Sequence, residues 1–294
     1  MAKNMKKQNK FWIAISAVAM SIASCDSVDI PEPPENPPFY YREDLYGTAP
    51  TPPTIDAMTQ RVLLEDFTGH DCGNCPAAHI AAAEILEDHP EDVALVAIHA
   101  GSLAEPFGEF VDDWRTTEGE YYLLEQIGID QLPTGRVNRV GGATTSTNFS
   151  TWSSEVDAQL AETPVADLAF SAELMPANNH LNIHLRAKYA QNISGTVKLV
   201  IMLAQGPIIA PQLNYAVTPS FIEEYEHKHM LRGTGTGASG LTAAVNPTAG
   251  QEDEIHYTLD WNPEWIAEDV EIIAFLTYGN LGEVINVRKI ELAP

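Results

Sequence analysis

Two hydrophobic rhythms divide the chain. Between residues 61 and 162 the pattern alternates between strand-like and helix-like runs. Residues 62–67 form a short apolar strand, and residues 75–88 have helical composition with Ala78, Ala82 and Ile85 on one stripe. Residues 93–100, VALVAIHA, are a continuous apolar run of strand length, as in a strand buried on both faces of a parallel sheet. Residues 118–127 read as a helix, and GRVNRVGG reads as a strand entering a Gly-Gly turn. Trp152, Val156 and Leu160 recur at helical spacing until Pro164 ends the run. Strand–helix–strand order implies a parallel α/β core with helices on its faces. From Val165 onward period two takes over, with Ala166, Leu168, Phe170, Ala172 and Leu174 alternating with polar positions. The alternation returns over residues 181–189, and further strands are expected near 197–204, 254–259, 270–277 and 284–292. Short strands without helices suggest a β-sandwich.

The ends of the pattern are different. Lys3, Lys6, Lys7 and Lys10 precede an apolar stretch from Phe11 to Ile22, too short for a comfortable span of about 20 residues. Ile22-Ala23-Ser24-Cys25 resembles a bacterial lipobox, in which the cysteine carries the lipid and becomes the mature N-terminus. Residues 1–25 are therefore expected to be a lipoprotein signal peptide, with Cys25 the lipidation site and the lipid the only membrane anchor. Eight prolines lie between Pro31 and Pro53, interleaved with acids. Residues 26–58 are expected to be an extended tether without a core of their own.

Composition excludes one class of function. The chain holds 41 acidic and 16 basic residues, for a net charge of −25. Four of those lysines belong to the leader, so the exported part is more acidic still. Such a body repels nucleic acid and anionic headgroups, and no nucleic-acid partner is expected.

With Cys25 assigned to lipid, the remaining cysteines are Cys72 and Cys75 of LLEDFTGHDCGNC, in a compartment where disulfides persist. The first ends a strand and the second opens a helix, whose N-terminal partial charge favours a thiolate. This arrangement resembles the thioredoxin fold. The resemblance covers residues 61 to about 162 and implies a role for two more landmarks. Asp66, six residues before Cys72, takes the place of the buried acid that moves protons. Pro133, in QLPTGRV, takes the place of the cis-proline that presents backbone to substrate. Two departures stand out: residues 101–126 look like an insert, and Asp71 replaces the usual aromatic residue before the first cysteine. A carboxylate there is expected to hold the Cys72 thiol up, against the helix.

A wider resemblance rests on the lipobox, the acidic Pro-rich segment, VLLEDFTGHDCGNCPAAH, LPTGRVNR and YEHKHMLRG. Together they are similar to the 28-kilodalton outer membrane protein family of Bacteroidetes. The resemblance implies an outer-membrane location, periplasmic or surface-exposed, and implies no activity.

The expected organisation is a signal peptide (1–25), a tether (26–58), a thioredoxin-like α/β domain (59–163) and an immunoglobulin-like all-β sandwich (164–294). Two functions stay open. In one, Cys72 and Cys75 exchange disulfides with protein thiols in the envelope, Cys72 attacking and Cys75 resolving. In the other, the pair is a structural disulfide in a non-enzymatic surface binding or adhesion protein with an envelope partner. Cys72, Cys75 and His79 also have metal-ligand spacing with His70 nearby, but a disulfide would abolish that site. His227 and His229 would share one face of a strand, as a solvated face or as metal ligands. His180 and His184 are read as polar strand positions, and RGTGTGASG as a mobile loop. No cofactor or metal is assigned.

Overall fold

The computed structural model describes residues 41–292. The leader and Cys25 lie outside them. The chain is mixed α/β, with a few short helices against extensive sheet. Strand β1 (Val62–Thr68) leads through the cysteine loop into helix α1 (Cys75–Asp88), and β2 (Val93–His99) returns parallel to β1. Every residue of β1 and β2 is buried, as a strand covered on both faces requires. Strand β3 (Thr134–Val137) lies antiparallel on the other edge of β1, with Thr134 opposite Phe67. Pro133, joined to Leu132 by a cis peptide, therefore sits at the end of the sheet where the cysteine loop begins. Helix α2 (Trp152–Leu160) packs Trp152 and Val156 with the α1 stripe against Val62 and Leu64.

The remaining strands are β4 (Ala166–Met175), β5 (His180–Tyr189), β6 (Thr196–Gln205), β7 (Ile208–Leu213), β8 (Phe221–His227), β9 (Met230–Thr234), β10 (Leu241–Val245), β11 (Glu252–Asp260), β12 (Val270–Tyr278) and β13 (Val284–Glu291). Strands β11, β5 and β4 form one antiparallel sheet. Its apolar face, with Leu181, Ile183 and Leu185, packs against Leu199, Ile201 and Ile272 of the β6 and β12 strands opposite.

The change of rhythm near residue 164 is a change of secondary structure without a break in the sheet. One eight-stranded sheet, ordered β13-β12-β6-β9-β2-β1-β3 with β10 also on β6, runs through both halves. The junction is narrow: Ala97 of β2 pairs with Met230 of β9, and the Ala97 amide donates to the His229 carbonyl at 2.7 Å.

Three expectations need correction. Residues 41–58, assigned to the tether, pack along the β11-β5-β4 sheet. Tyr46 hydrogen-bonds His180 at 2.7 Å, the Arg42 amide donates to Thr258 Oγ1 at 3.1 Å, and Pro52 and Ile55 are buried. Proline-rich chain lacks helix and ladder donors, but its side chains still cover apolar surface. The Gly-rich segment after Arg232 is no exposed loop. Its first residues belong to β9, Thr236, Ala238 and Ser239 are buried, and the Ala238 carbonyl accepts from Tyr122 at 2.9 Å. The helix expected over 118–127 opens as an α-turn (Thr117–Glu120) and widens into a π-turn over Tyr121–Ile127.

Candidate functional site

Cys72 and Cys75 form a disulfide, with the loop 69–74 carrying Cys72 to the start of α1. Strand β1 alternates its side chains between faces, which sends Asp66 and Thr68 toward α1. His79, one helical turn after Cys75, meets them there. Its Nε2 lies 2.8 Å from Thr68 Oγ1 and 3.9 Å from Asp66 Oδ2, and its Nδ1 lies 2.8 Å from the Tyr225 hydroxyl. Asp66 is thus held beneath the first turn of the cysteine helix. It is buried, its Oδ1 has no hydrogen-bond partner in the protein, and burial holds its carboxyl well above the usual carboxylate range. Burial, reinforced by His227, brings His79 down to about 4, so this imidazole is neutral at pH 7.

The disulfide is not on the surface. Cys72 is 2 % exposed and Cys75 0 %. The cover is the β7–β8 hairpin from the second half of the chain. Its backbone lies along the cysteine loop like an added strand: the Leu213 amide donates to the His70 carbonyl at 2.9 Å and the Tyr215 amide to the Gly73 carbonyl at 2.8 Å. Between them the buried Gln212 donates from Nε2 to the Cys72 carbonyl at 3.1 Å. The Tyr215 ring lies flat on Gly73, where a Cβ would stand 2.6 Å from its carbons, so only glycine admits this approach. From the other side the Asp71 amide donates to the Leu103 carbonyl at 3.0 Å.

A second group of residues surrounds the site. His99, at the end of β2, and His227, at the end of β8, are buried with ring centroids 5.5 Å apart, and Trp114 stands edge-on to both. His70 stacks on Phe110 at 4.7 Å. Burial drives His99 well below its usual value and His227 to about 4, so both are neutral. The residues 101–126, an apparent insert in the sequence, supply Phe110 and Trp114 to this cluster.

The sequence expectations thus meet different outcomes. Cys72, Cys75 and Asp66 come together around the start of α1, and Pro133 lies at the same end of the sheet. His227 and His229 do not share a strand face. His227 ends β8 and is buried, whereas His229 turns the chain with φ +53° and hydrogen-bonds Glu271 at 2.9 Å. His184, a polar position of β5, is buried with its Nδ1 3.0 Å from His256 Nδ1. No three His, Cys, Asp or Glu side chains converge as metal ligands among the described residues. His99, Gln212 and Trp114 escaped sequence reasoning. His99 alone left a trace, as a polar residue in an otherwise apolar strand.

The family model for outer membrane protein Omp28 matches residues 120–294, more than half of the chain. The chain belongs to the Omp28 family of outer membrane proteins. The match includes the hairpin and His227 but begins after the cysteines. Among solved structures, HBP35 of Porphyromonas gingivalis is similar at TM-score 0.62 and 17 % identity, over 80 % of this chain and 76 % of that one. The protein AGR_C_4864 from Agrobacterium tumefaciens is similar at TM-score 0.51 and 13 % identity, over 81 % of this chain and 96 % of its own. At these identities the likeness concerns the fold alone. A domain of the outer membrane lipoprotein Omp28 from Porphyromonas gingivalis aligns at TM-score 0.30 and 16 % identity, over 45 % of this chain and 92 % of that domain. No curated protein matches the chain in sequence.

Proposed function

We propose that this Omp28-family protein is anchored in the outer membrane through lipid on Cys25, and that residues 59–163 are a thioredoxin-like unit for thiol–disulfide exchange in the cell envelope. An immunoglobulin-like sandwich would follow and contribute the cover over the disulfide. Asp66 is the observation that carries the exchange reading. A buried carboxyl lacking a partner for one oxygen costs stability, and a permanent staple has no use for one. Exchange does. A substrate thiolate attacks Cys72 Sγ, the Cys72–Cys75 bond breaks, and Cys75 leaves as a thiolate that takes up a proton. A second substrate thiolate then attacks the substrate sulfur of the mixed disulfide and releases Cys72. The substrate dithiol is oxidised and the pair reduced, and Asp66 stores a proton under the helix that begins at Cys75.

The hairpin supports a second reading, a structural disulfide in a surface binding protein. A covered pair exchanges only when Gln212–Tyr215 lift from the loop. The deciding experiment is the reduction potential of the pair, together with trapping by Cys75→Ala. A potential above about −300 mV and recovered mixed disulfides on Cys72 support exchange. A much lower potential with no trapped adduct leaves the structural reading.

A further inference from the structure

A cavity of about 320 Å³ opens between α1 and β8, beside the cysteine site. Its walls are apolar, formed by Ile80, Ala82, Ala83 and Leu86 of α1 and by Leu95 and Ala97 of β2. Lys228 and the 61 % exposed Ile80 stand at its mouth. Asp66, His99 and His227 line its buried end, each at least 97 % buried. Asp66 Oδ1, both ring nitrogens of His99 and Nε2 of His227 have no hydrogen-bond partner in the protein. Four polar atoms at the end of an apolar pocket are costly unless something uses them.

The chemistry of that end restricts the occupant. A neutral imidazole presents one donor and one acceptor, and a protonated carboxyl can do both. Burial favours the uncharged form of all three groups, with Asp66 raised and His99 and His227 lowered. At the buried end a charged group would lose its hydration without meeting a counter-charge, and at the mouth Lys228 is paired with Glu226 at 2.8 Å. A hydroxyl, which donates and accepts, matches the mixed set. The volume suits a ring-sized body, at the lower end of the range for small-molecule sites.

We propose that this cavity binds a small neutral molecule with an apolar, ring-sized body and a hydroxyl head directed at Asp66, His99 and His227, for which simple phenols are the model class. The site shares Asp66 with the exchange reading, but its test on the oxidised full-length protein requires no exchange, so either can fail without the other.

The probe is phenol, titrated against protein labelled with ¹⁵N in histidine and followed by NMR and calorimetry, with toluene and benzoate as controls. Phenol should shift the His99 and His227 ring resonances and saturate with a Kd of about 1 mM or tighter, as suits so small a ligand. Toluene, of similar size but without the hydroxyl, should bind about tenfold more weakly, the worth of one good hydrogen bond. Benzoate should not bind. Ala83→Phe, a change on the exposed side of α1 at the cavity wall, should weaken phenol and toluene alike while leaving the thermal melt in place. His227→Phe should remove the preference for phenol over toluene. Absence of a phenol-dependent shift at 20-fold that concentration in the folded wild type would overturn the proposal, as would toluene or benzoate binding as well as phenol.

Discussion

Glu65 and Asp66 are neighbours on β1, both are buried, and the fold treats them in opposite ways. Glu65 faces the core beneath the eight-stranded sheet. There Arg136 Nη2 donates to Oε1 at 2.9 Å, and Arg139 donates from Nε and Nη2 to both oxygens at 2.9 and 2.7 Å. The guanidinium groups lie 4.9 to 5.5 Å from the ring centroids of Phe67, Tyr122 and Phe275. Burial pushes the Glu65 carboxyl up, but the two arginines outweigh it and hold it below its ordinary value. Asp66 faces the helix and the cavity, with a neutral histidine alongside and no cation. One acid is a fully paired element of the core. The other is pushed by burial toward its uncharged form and is incompletely bonded, next to the disulfide. Burial alone therefore does not distinguish the two acids; unmet bonding capacity does.

The most severe way to break this comparison is to remove the charge on the paired side. Glu65→Gln leaves two arginines buried without an anion, and loss of one partner from a buried pair costs about 3–5 kcal/mol. Urea unfolding should show a loss of that order. A loss under about 1 kcal/mol would mean that the network is not the anchor its geometry describes.

Acid titration comes next and tests the opposite face. His79 and His227 have folded values of about 4 against an ordinary 6.5. Below pH 6.5 the unfolded chain takes up protons that the folded one refuses. The stability these residues contribute is therefore present above pH 6.5 and is lost as pH falls toward 4. The two rings interact, so the loss over this window should be a few kcal/mol for the pair rather than twice the single value. Unfolding curves at pH 7 and pH 4.5 check it, and His227→Phe should flatten the dependence.

How much of this contrast was readable in the sequence depends on the range of the contacts. Reading residues 62–67 as a strand already places Glu65 and Asp66 on opposite faces, and the resemblance to thioredoxin singles out Asp66 by its spacing to Cys72. The partners of Glu65 lie 71 and 74 residues away, on and just after β3, and no local pattern announces them. The cover over the cysteines is harder still. Gln212 and Tyr215 are more than 130 residues from Gly73 in sequence, and their contacts are mostly backbone bonds that carry no residue signature. Residues 41–58 misled for a related reason: proline excludes regular structure, not packing.

Uncovering the disulfide should have a smaller effect on stability than on reactivity. Tyr215 is 64 % exposed, yet its ring shields Gly73. Tyr215→Ala keeps the backbone bonds and removes the shield, so stability should fall by no more than about 1 kcal/mol. Reduction of Cys72–Cys75 by dithiothreitol, read by thiol trapping, should accelerate several-fold. An unchanged rate would show that opening of the whole hairpin, not the ring, limits access.

The smallest loss of stability belongs to Asp66→Asn, and its sign separates the two acids most sharply. Asp66 has a folded value raised above its unfolded one. It therefore contributes stability that is complete below the unfolded value, near 3.9, and is lost as pH rises through the folded value. Its protonated form already resembles an amide in size and neutrality. Below the unfolded value, where Asp66 is protonated in both the folded and the unfolded chain, the substitution should change stability by less than about 1 kcal/mol, and at pH 7 it should raise stability, in contrast to Glu65→Gln. Between pH 4 and 6.5 the wild type gains from Asp66 on acidification while it loses through the histidines. The asparagine variant keeps only the loss, so its stability should fall more steeply, by about 1.4 kcal/mol per pH unit where the difference amounts to one proton. Parallel unfolding curves across that window measure this directly. If the two proteins run parallel, Asp66 is ionised like any surface acid, and the distinction between the two faces of β1 fails.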